Sequence, residues 1–237
     1  MIKEKEISLV TGGNRGIGKG IALSLAKEKH DIIIIGRDEE SLKKTSDEII
    51  ETGVSCDYFK GDVANEVFVR SSVDEIIKKY GRIDNLINNA GTRVFKKAID
   101  ASLDEFKKQI EANLYGMFNF SKAVLPNMIE RKSGAIINII SLAGKNSFVG
   151  GAMYSASKHA ALGFTKSLML EVREYDIRVA AICPGSVDTE FFNDSNIKPN
   201  KNKILKPDDI AETVLLILKL PIRALISEVD LRPTNPK

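Results

Sequence analysis

The stretch that most restricts the fold is a short apolar run, Ile7-Ser8-Leu9-Val10, halted by Thr11-Gly12-Gly13-Asn14-Arg15-Gly16-Ile17-Gly18. A helical pattern follows, with Ile21, Ala22, Leu25 and Ala26 on one face. Strand, glycine loop and helix in that order form a turn suited to phosphate. Glycines let the backbone come close, and the helix start offers free N–H groups and the positive end of a dipole. The spacing is G-x-x-x-G-x-G, not the commoner G-x-G-x-x-G.

The same alternation runs through the chain. Further strands are predicted at Asp31-Ile32-Ile33-Ile34-Ile35 and over residues 54–59, 83–87, 135–140, 177–183 and 225–231. Between them lie a helix N-capped by Asp38, one from about 65 to 80, and a long one from Ser102 to about Arg131. The long helix opens with a Ser102/Glu105 capping box, contains Asn113 and meets Pro126 near its far end. The helix with Tyr154 and Lys158 runs to about Arg173, and Pro207-Asp208-Asp209 begins a last one. Strands alternating with helices predict an α/β chain, with a seven-stranded parallel sheet covered on both faces and one domain over residues 1–237. Residues 186–206 lack periodicity and are rich in Asn, Asp, Ser and Lys, which suits a lid loop within that domain.

Composition narrows the function classes. A net charge of +3 with interspersed signs gives no nucleic-acid footprint, and no apolar run is long enough to span a membrane. The N-terminus has no apolar leader core, so the expected location is the cytoplasm. Cys56 and Cys183 lie in apolar runs and read as small buried hydrophobes. His30 and His159 have no ligand partners at metal spacing, so no metal is expected.

The chemistry is expected at Tyr154 and Lys158, four positions apart and on one helix face. A free phenol has a pKa of about 10. An ammonium about 4 Å away favours phenolate by roughly 4 kcal/mol at an effective dielectric of ~20. That is enough to bring the phenol near neutrality and make it a general acid or base.

The second strand ends in Gly36-Arg37-Asp38. An acid there would hold a free ribose 2′-hydroxyl, but Gly36 occupies the place, with Arg37 beside it and Arg15 in the glycine loop. Two guanidiniums suit a 2′-phosphate, so NADP(H) is the expected cofactor. Gly36→Asp is expected to move the preference toward NAD(H).

Together these motifs resemble the short-chain dehydrogenase/reductases over essentially the whole chain. The matches are Thr11 to Gly18, Asn88-Asn89-Ala90-Gly91, Asn113 in the long helix, Ser141 at the end of the fifth strand, Tyr154/Lys158, and Pro184-Gly185 followed by Thr189. Among its subgroups the chain is most similar to bacterial 3-oxoacyl-acyl-carrier-protein reductases. It departs from them at Glu228 to Pro233, where an aspartate-glycine-glycine ending is usual, and at Tyr175, where the partner of Lys132 in a basic pair is expected.

The resemblance implies a Rossmann-type doubly wound fold and hydride transfer between nicotinamide and a carbonyl or alcohol. Tyr154 would be the proton donor, with Lys158 lowering its pKa and holding the ribose. Ser141 would donate to the substrate oxygen, and the Asn113 carbonyl would hold a water linking Lys158 to solvent. Gly12, Asn14, Arg15, Gly16, Ile17 and Gly18 would line the phosphates, with Arg37, Asp62 and Val63 at the adenosine end. Asn89, Ala90 and Gly91 would frame the ribose, and Pro184, Gly185, Val187 and Thr189 the nicotinamide. The alternative is a non-catalytic NADP(H) sensor on the same fold, a class that tends to lose the tyrosine or lysine kept here. Homodimers or homotetramers are implied, paired through the helices holding Leu114, Met117, Phe118 and Val124 and Leu162, Phe164 and Leu168. Arg93, Val94 and Phe95 would form one wall of the pocket. Phe191 and Phe192 are the aromatic anchors of a polar lid, which favours small or medium-sized ketones and short 3-oxoacyl groups.

Overall fold

The computed structural model describes residues 5–190 and 200–235. Its strands are β1 (Ile7–Thr11), β2 (Asp31–Gly36), β3 (Cys56–Lys60), β4 (Asn85–Asn88), β5 (Gly134–Ile139), β6 (Ile177–Pro184) and β7 (Glu228–Leu231). They form one parallel sheet in the order β3-β2-β1-β4-β5-β6-β7. The helices are α1 (Gly16–Lys27), α2 (Glu39–Ile50), α3 (Glu66–Tyr80), α4 (Leu103–Ile110), α5 (Gly116–Arg131), α6 (Ala152–Val172) and α7 (Pro207–Lys219).

The central strands read as unbroken apolar runs because both of their faces are covered. Val10, Ile32, Ile34, Ile87, Ile137 and Ile182 pack with Ile21 and Leu25 of α1, Leu42 and Ile49 of α2, and Ile210 and Val214 of α7. The alternate residues Leu9, Ile33, Ile35, Leu86, Ile136 and Val179 pack with α3, α5 and α6 through Val73, Phe120, Val124 and Leu168. One period-two pattern thus serves two helix layers.

Most predicted boundaries hold within two or three residues. Asp38 caps α2 by accepting the Ser41 N–H at 2.8 Å, and Ser102 and Glu105 form the reciprocal capping box of α4. Two expectations change. The long helix is interrupted by a π-type turn, Glu111–Tyr115, that separates α4 from α5 and contains Asn113. Residues 186–206 also have an anchored base. Val187 bridges Leu205, the Leu205 N–H donates to the Ser186 carbonyl at 3.0 Å, and Ile204 and Leu205 are buried. Phe191 and Phe192 lie outside the described residues.

Strand order reverses direction between β1 and β4, and the crevice beyond their carboxyl ends is where ligands bind in such sheets. Thr11 ties the two strand ends together. Its buried Oγ1 accepts the N–H groups of Asn89 and Ala90, both at 3.0 Å. Thr11→Val keeps the shape but strands both donors, and should cost about 2–3 kcal/mol. Urea unfolding that gave the same midpoint for this variant would show that the tie carries no stability.

Candidate active site

The glycine loop is packed without spare room. A Cβ on Gly18 would lie 2.2 Å from the Gly12 carbonyl oxygen and 2.4 Å from Asn89 Nδ2. Gly12 and Gly16 have φ of 63° and 53°, which favour glycine. Asn89, expected at the ribose, donates through Nδ2 to the carbonyls of Thr11 (3.0 Å) and Gly12 (3.2 Å) and so fixes the loop from the β4 side. Arg15 is the N-cap of α1 and makes no side-chain cap bond. The opening N–H groups of α1 thus get no help from their own cap residue, and Ile17 and Gly18 sit in that first turn. This cradle fits a dinucleotide pyrophosphate.

At the adenosine end, Asn14 Nδ2 donates to Ser41 Oγ at 2.7 Å, and Thr45 Oγ1 donates to the Asn14 carbonyl at 3.1 Å. A Cβ on Gly36 would meet Asn14 Oδ1 at 2.6 Å. Arg15 and Arg37 are exposed, and Arg15 lies 3.8 Å from Glu190. Asp38 feels both Arg15 and Lys60, which help its bonds to Ser41 hold the carboxyl below its usual range. Asp62 is exposed and accepts the Ala64 N–H, while Val63 is buried against Gly116. On the far side the Gly185 N–H donates to the Leu231 carbonyl after Pro184. Thr189 sits against Gly16, where a Cβ would lie 3.4 Å from its methyl.

Tyr154 and Lys158 both lie on α6 and are 7% and 5% exposed, so neither side chain is solvated. Lys158 Nζ sits 5.9 Å from the centre of the Tyr154 ring and donates to the Ile139 carbonyl at 3.3 Å. Burial pushes the phenol up to about 12, against the pull of a Ser141 hydrogen bond and the Arg93 charge. Burial likewise brings the ammonium down to about 8. This corrects the expectation of a near-neutral phenol: a proximity estimate leaves out the cost of desolvating both charged forms. The Tyr154 phenol is therefore protonated at neutral pH. Ser141, two residues beyond β5, also accepts the Ala143 N–H at 3.1 Å.

Asn113 reaches the same place from the π-type turn. Its Oδ1 accepts the Thr92 N–H (2.8 Å), and its Nδ2 donates to the Thr92 carbonyl (2.9 Å) and to Ser157 Oγ (2.9 Å). Ser157 Oγ in turn donates to the Tyr154 carbonyl at 2.7 Å. One turn earlier on the same face, Gln109 Oε1 accepts the Val94 N–H at 3.0 Å and Nε2 donates back to its carbonyl at 3.4 Å. Two amide side chains therefore grip the backbone of residues 92–94 as a neighbouring strand would. Gly91 is required beside them, since a Cβ there would lie 2.7 Å from Asn113 Oδ1.

That grip places Phe95 edge-on to Tyr154, with ring centres 5.4 Å apart, and to Phe148 at 5.3 Å. Arg93 lies over Phe95, its guanidinium carbon 5.4 Å from the ring centre. Arg93 and Phe95, expected on a wall of the pocket, thus lie together, with Phe95 against Tyr154. Gln109, Phe148 and Ser157 join them unforeseen; the only signal in the chain was the four-residue spacing of Gln109 and Asn113.

The short chain dehydrogenase family model matches residues 6–200. An uncharacterized oxidoreductase of Staphylococcus aureus is 34% identical over 232 residues, covering 96% of this chain and 97% of its own. Among solved structures, an alcohol dehydrogenase from Thermococcus sibiricus complexed with 5-hydroxy-NADP superposes with a TM-score of 0.91 at 30% identity, over 99% of this chain and 100% of that one. An actinorhodin polyketide ketoreductase with NADPH gives 0.89 at 32% identity, over 97% of this chain and 96% of that one. The match of fold, glycine cradle and family model has one outcome: the chain belongs to the short-chain dehydrogenase family and is an oxidoreductase of that kind.

Proposed function

We propose that the chain is an NADP(H)-dependent carbonyl reductase or alcohol dehydrogenase acting on small ketones or short 3-oxoacyl groups, built as one Rossmann domain with residues 186–206 as its lid. The observation that carries this is the convergence of a buried, protonated Tyr154 with Ser141, Lys158 and Asn113 at the open end of the β1/β4 crevice. The cofactor, when bound, supplies the hydride, and everything else falls to the protein.

Tyr154 gives its phenolic proton to the carbonyl oxygen as charge develops there, and Ser141 donates a hydrogen bond to the same oxygen. Lys158 holds the ribose and supplies positive charge behind the phenol. Asn113 keeps Tyr154 and the wall in register through Ser157 and Thr92. Phe95 and Phe148 form an apolar edge suited to a short carbon chain. Tyr154→Phe should lower kcat about 10²- to 10⁴-fold while NADPH still binds. Lys158→Ala should weaken both. If the phenylalanine variant kept more than about a tenth of kcat, the proton donor would have to be another group.

The NADP(H) assignment is supported by the two solved relatives above and by Arg15 and Arg37 at the adenosine end. The expected Gly36→Asp switch is not a clean probe, because its Cβ would displace Asn14. Removing the guanidiniums is cleaner. Arg15→Ala and Arg37→Ala should each weaken NADPH about tenfold by fluorescence titration and leave NADH nearly unchanged. Equal loss for both cofactors would assign the arginines to the pyrophosphate or to the lid.

A homodimer is the proposed assembly, with a tetramer built on it. Of the apolar positions expected at its interface, Met117, Val124, Leu162 and Leu168 are buried within the chain. What remains open is a groove lined by Leu114, Tyr115, Phe118 and Phe164. Phe118 is 44% exposed and meets Phe164 edge-on across it at 6.0 Å. A two-fold copy of the same strip would cover it. Phe118→Glu should reduce the mass measured by light scattering to that of a smaller species. A wild-type protein already monomeric at micromolar concentration would end the proposal.

A further inference from the structure

We propose that Lys145 is a positioning residue for Ser141: a chain of charges from α6 through the edge strand β7 to Lys145 clamps the turn that carries the Ser141 hydroxyl, and turnover depends on that clamp. The inference rests on the carbonyl-reductase reading above, in which Ser141 donates to the reacting oxygen, and extends it to residues near the end of the chain. The turn needs outside support. Ser141 opens a helix of one turn, Leu142–Gly144, accepting the Ala143 N–H at 3.1 Å through Oγ and the Gly144 N–H at 2.9 Å through its carbonyl. A helix that short has too few bonds, and too poorly aligned ones, to hold itself in place.

Contacts on two flanks fix it. On the inner side, a Cβ on Gly144 would lie 2.9 Å from the Lys158 carbonyl oxygen, so the turn rests on the backbone of α6. On the outer side stands Lys145. Its Nζ donates to Asp230 Oδ1 at 2.7 Å and pairs with Glu228 Oε1, while Glu228 Oε2 lies 2.8 Å from Lys166 Nζ on α6. Turn, edge strand and helix are thereby joined.

The alternation of β7 brings both acids to that place. Val229 and Leu231 pack on the α1 and α7 side of the sheet, so Glu228 and Asp230 turn to the opposite side, toward α6 and the Ser141 turn. Register sets their height. Glu228 pairs with Ala181 and Asp230 with Cys183, and Ile182 between them accepts the N–H of Ile140, the residue before Ser141, at 2.8 Å. Both acids lie in the segment, Glu228 to Pro233, where the chain departs from the reductases it resembles. Lys145, Glu228 and Asp230 are partly buried, and a linked set of charges holds position better than an isolated surface pair. Hydrogen bonds from Lys145 and then Lys166 keep the Glu228 carboxyl below its usual range, and those to Asp230 and Glu228 raise the Lys145 ammonium, so the link stays charged at neutral pH.

The test is a double-mutant cycle on the full chain, following NADPH oxidation with methyl 3-oxobutanoate and with cyclohexanone. A misplacement of about 1 Å can cost on the order of a hundredfold in rate, so Lys145→Met should lower kcat about tenfold or more while NADPH affinity stays within about twofold. Lys145→Arg, which keeps the charge, should restore part of the rate. In Ser141→Ala, where no hydroxyl is left to position, adding Lys145→Met should cost nothing further. An equal loss in both backgrounds would mark general support of the fold and overturn the proposal, as would full kcat in Lys145→Met or in Ser141→Ala. A second measurement needs no turnover. Deuterium exchange into the peptide over residues 141–146 should be several-fold faster in Lys145→Met, with exchange in β5 unchanged, and equal exchange at the turn would also overturn the proposal. If the unmodified protein reduces neither carbonyl while the exchange difference is present, the clamp stands and the reductase reading falls.

Discussion

The candidate active site hangs on the carboxamide of Asn113. It is buried, and it spends both ends on the backbone of Thr92 and its remaining donor on Ser157 beneath Tyr154. That carboxamide links a loop after β4 to a helix after β5, alongside the Phe95–Tyr154 ring contact. The π-type turn is what lets a residue between α4 and α5 face both, because an extra residue in the turn shifts the helix face on which Asn113 emerges. The turn costs regular hydrogen bonding, and the three bonds of the carboxamide offset that cost. A glycine at position 91 is part of the same arrangement, since any side chain there would collide with Oδ1.

Burial and charge compete at the pair on α6, and burial wins on both sides. The same desolvation raises an acid whose charged form is anionic and lowers one whose charged form is cationic, so phenol and ammonium move toward each other in pH. The outcome is a neutral phenol beside an ammonium brought down to about 8. Ser141, through a hydrogen bond, and Arg93, through its charge, pull the phenol down. The proton inventory of Tyr154 is therefore set first by burial, with Ser141 and Arg93 pulling the other way.

The sheet was legible because burying it on both faces forces apolar runs, and its parallel direction followed from strands alternating with helices. Tyr154, Lys158 and the glycine loop could be singled out because each needs a particular residue type at a particular place along the chain, and Ser141 through the resemblance. What stayed hidden depends on contacts between distant segments. Asn113 was named through the resemblance for its backbone carbonyl, but the grip of its carboxamide on Thr92, and the like grip of Gln109 on Val94, show only when residues 92–94 are laid against them. The pKa of the phenol was misjudged for the same reason: spacing reports a neighbour, but not the loss of water from both groups.

Cofactor preference shows how packing can be as decisive as charge. In the reading from sequence, Gly36 mattered for the acid it lacks. In the structure it matters also because Asn14 occupies the space, and Asn14 is itself bound to Ser41 through its amide and to Thr45 through its carbonyl. Those two residues belong to α2, whose start is fixed by Asp38 through the Ser41 N–H. Loop, strand end and helix therefore brace one another at the place where a 2′-hydroxyl would need its carboxylate. Asp38, the nearest acid, is already committed to capping. A carboxylate placed at position 36 would require moving Asn14, and Asp38 could serve instead only by giving up its cap on α2.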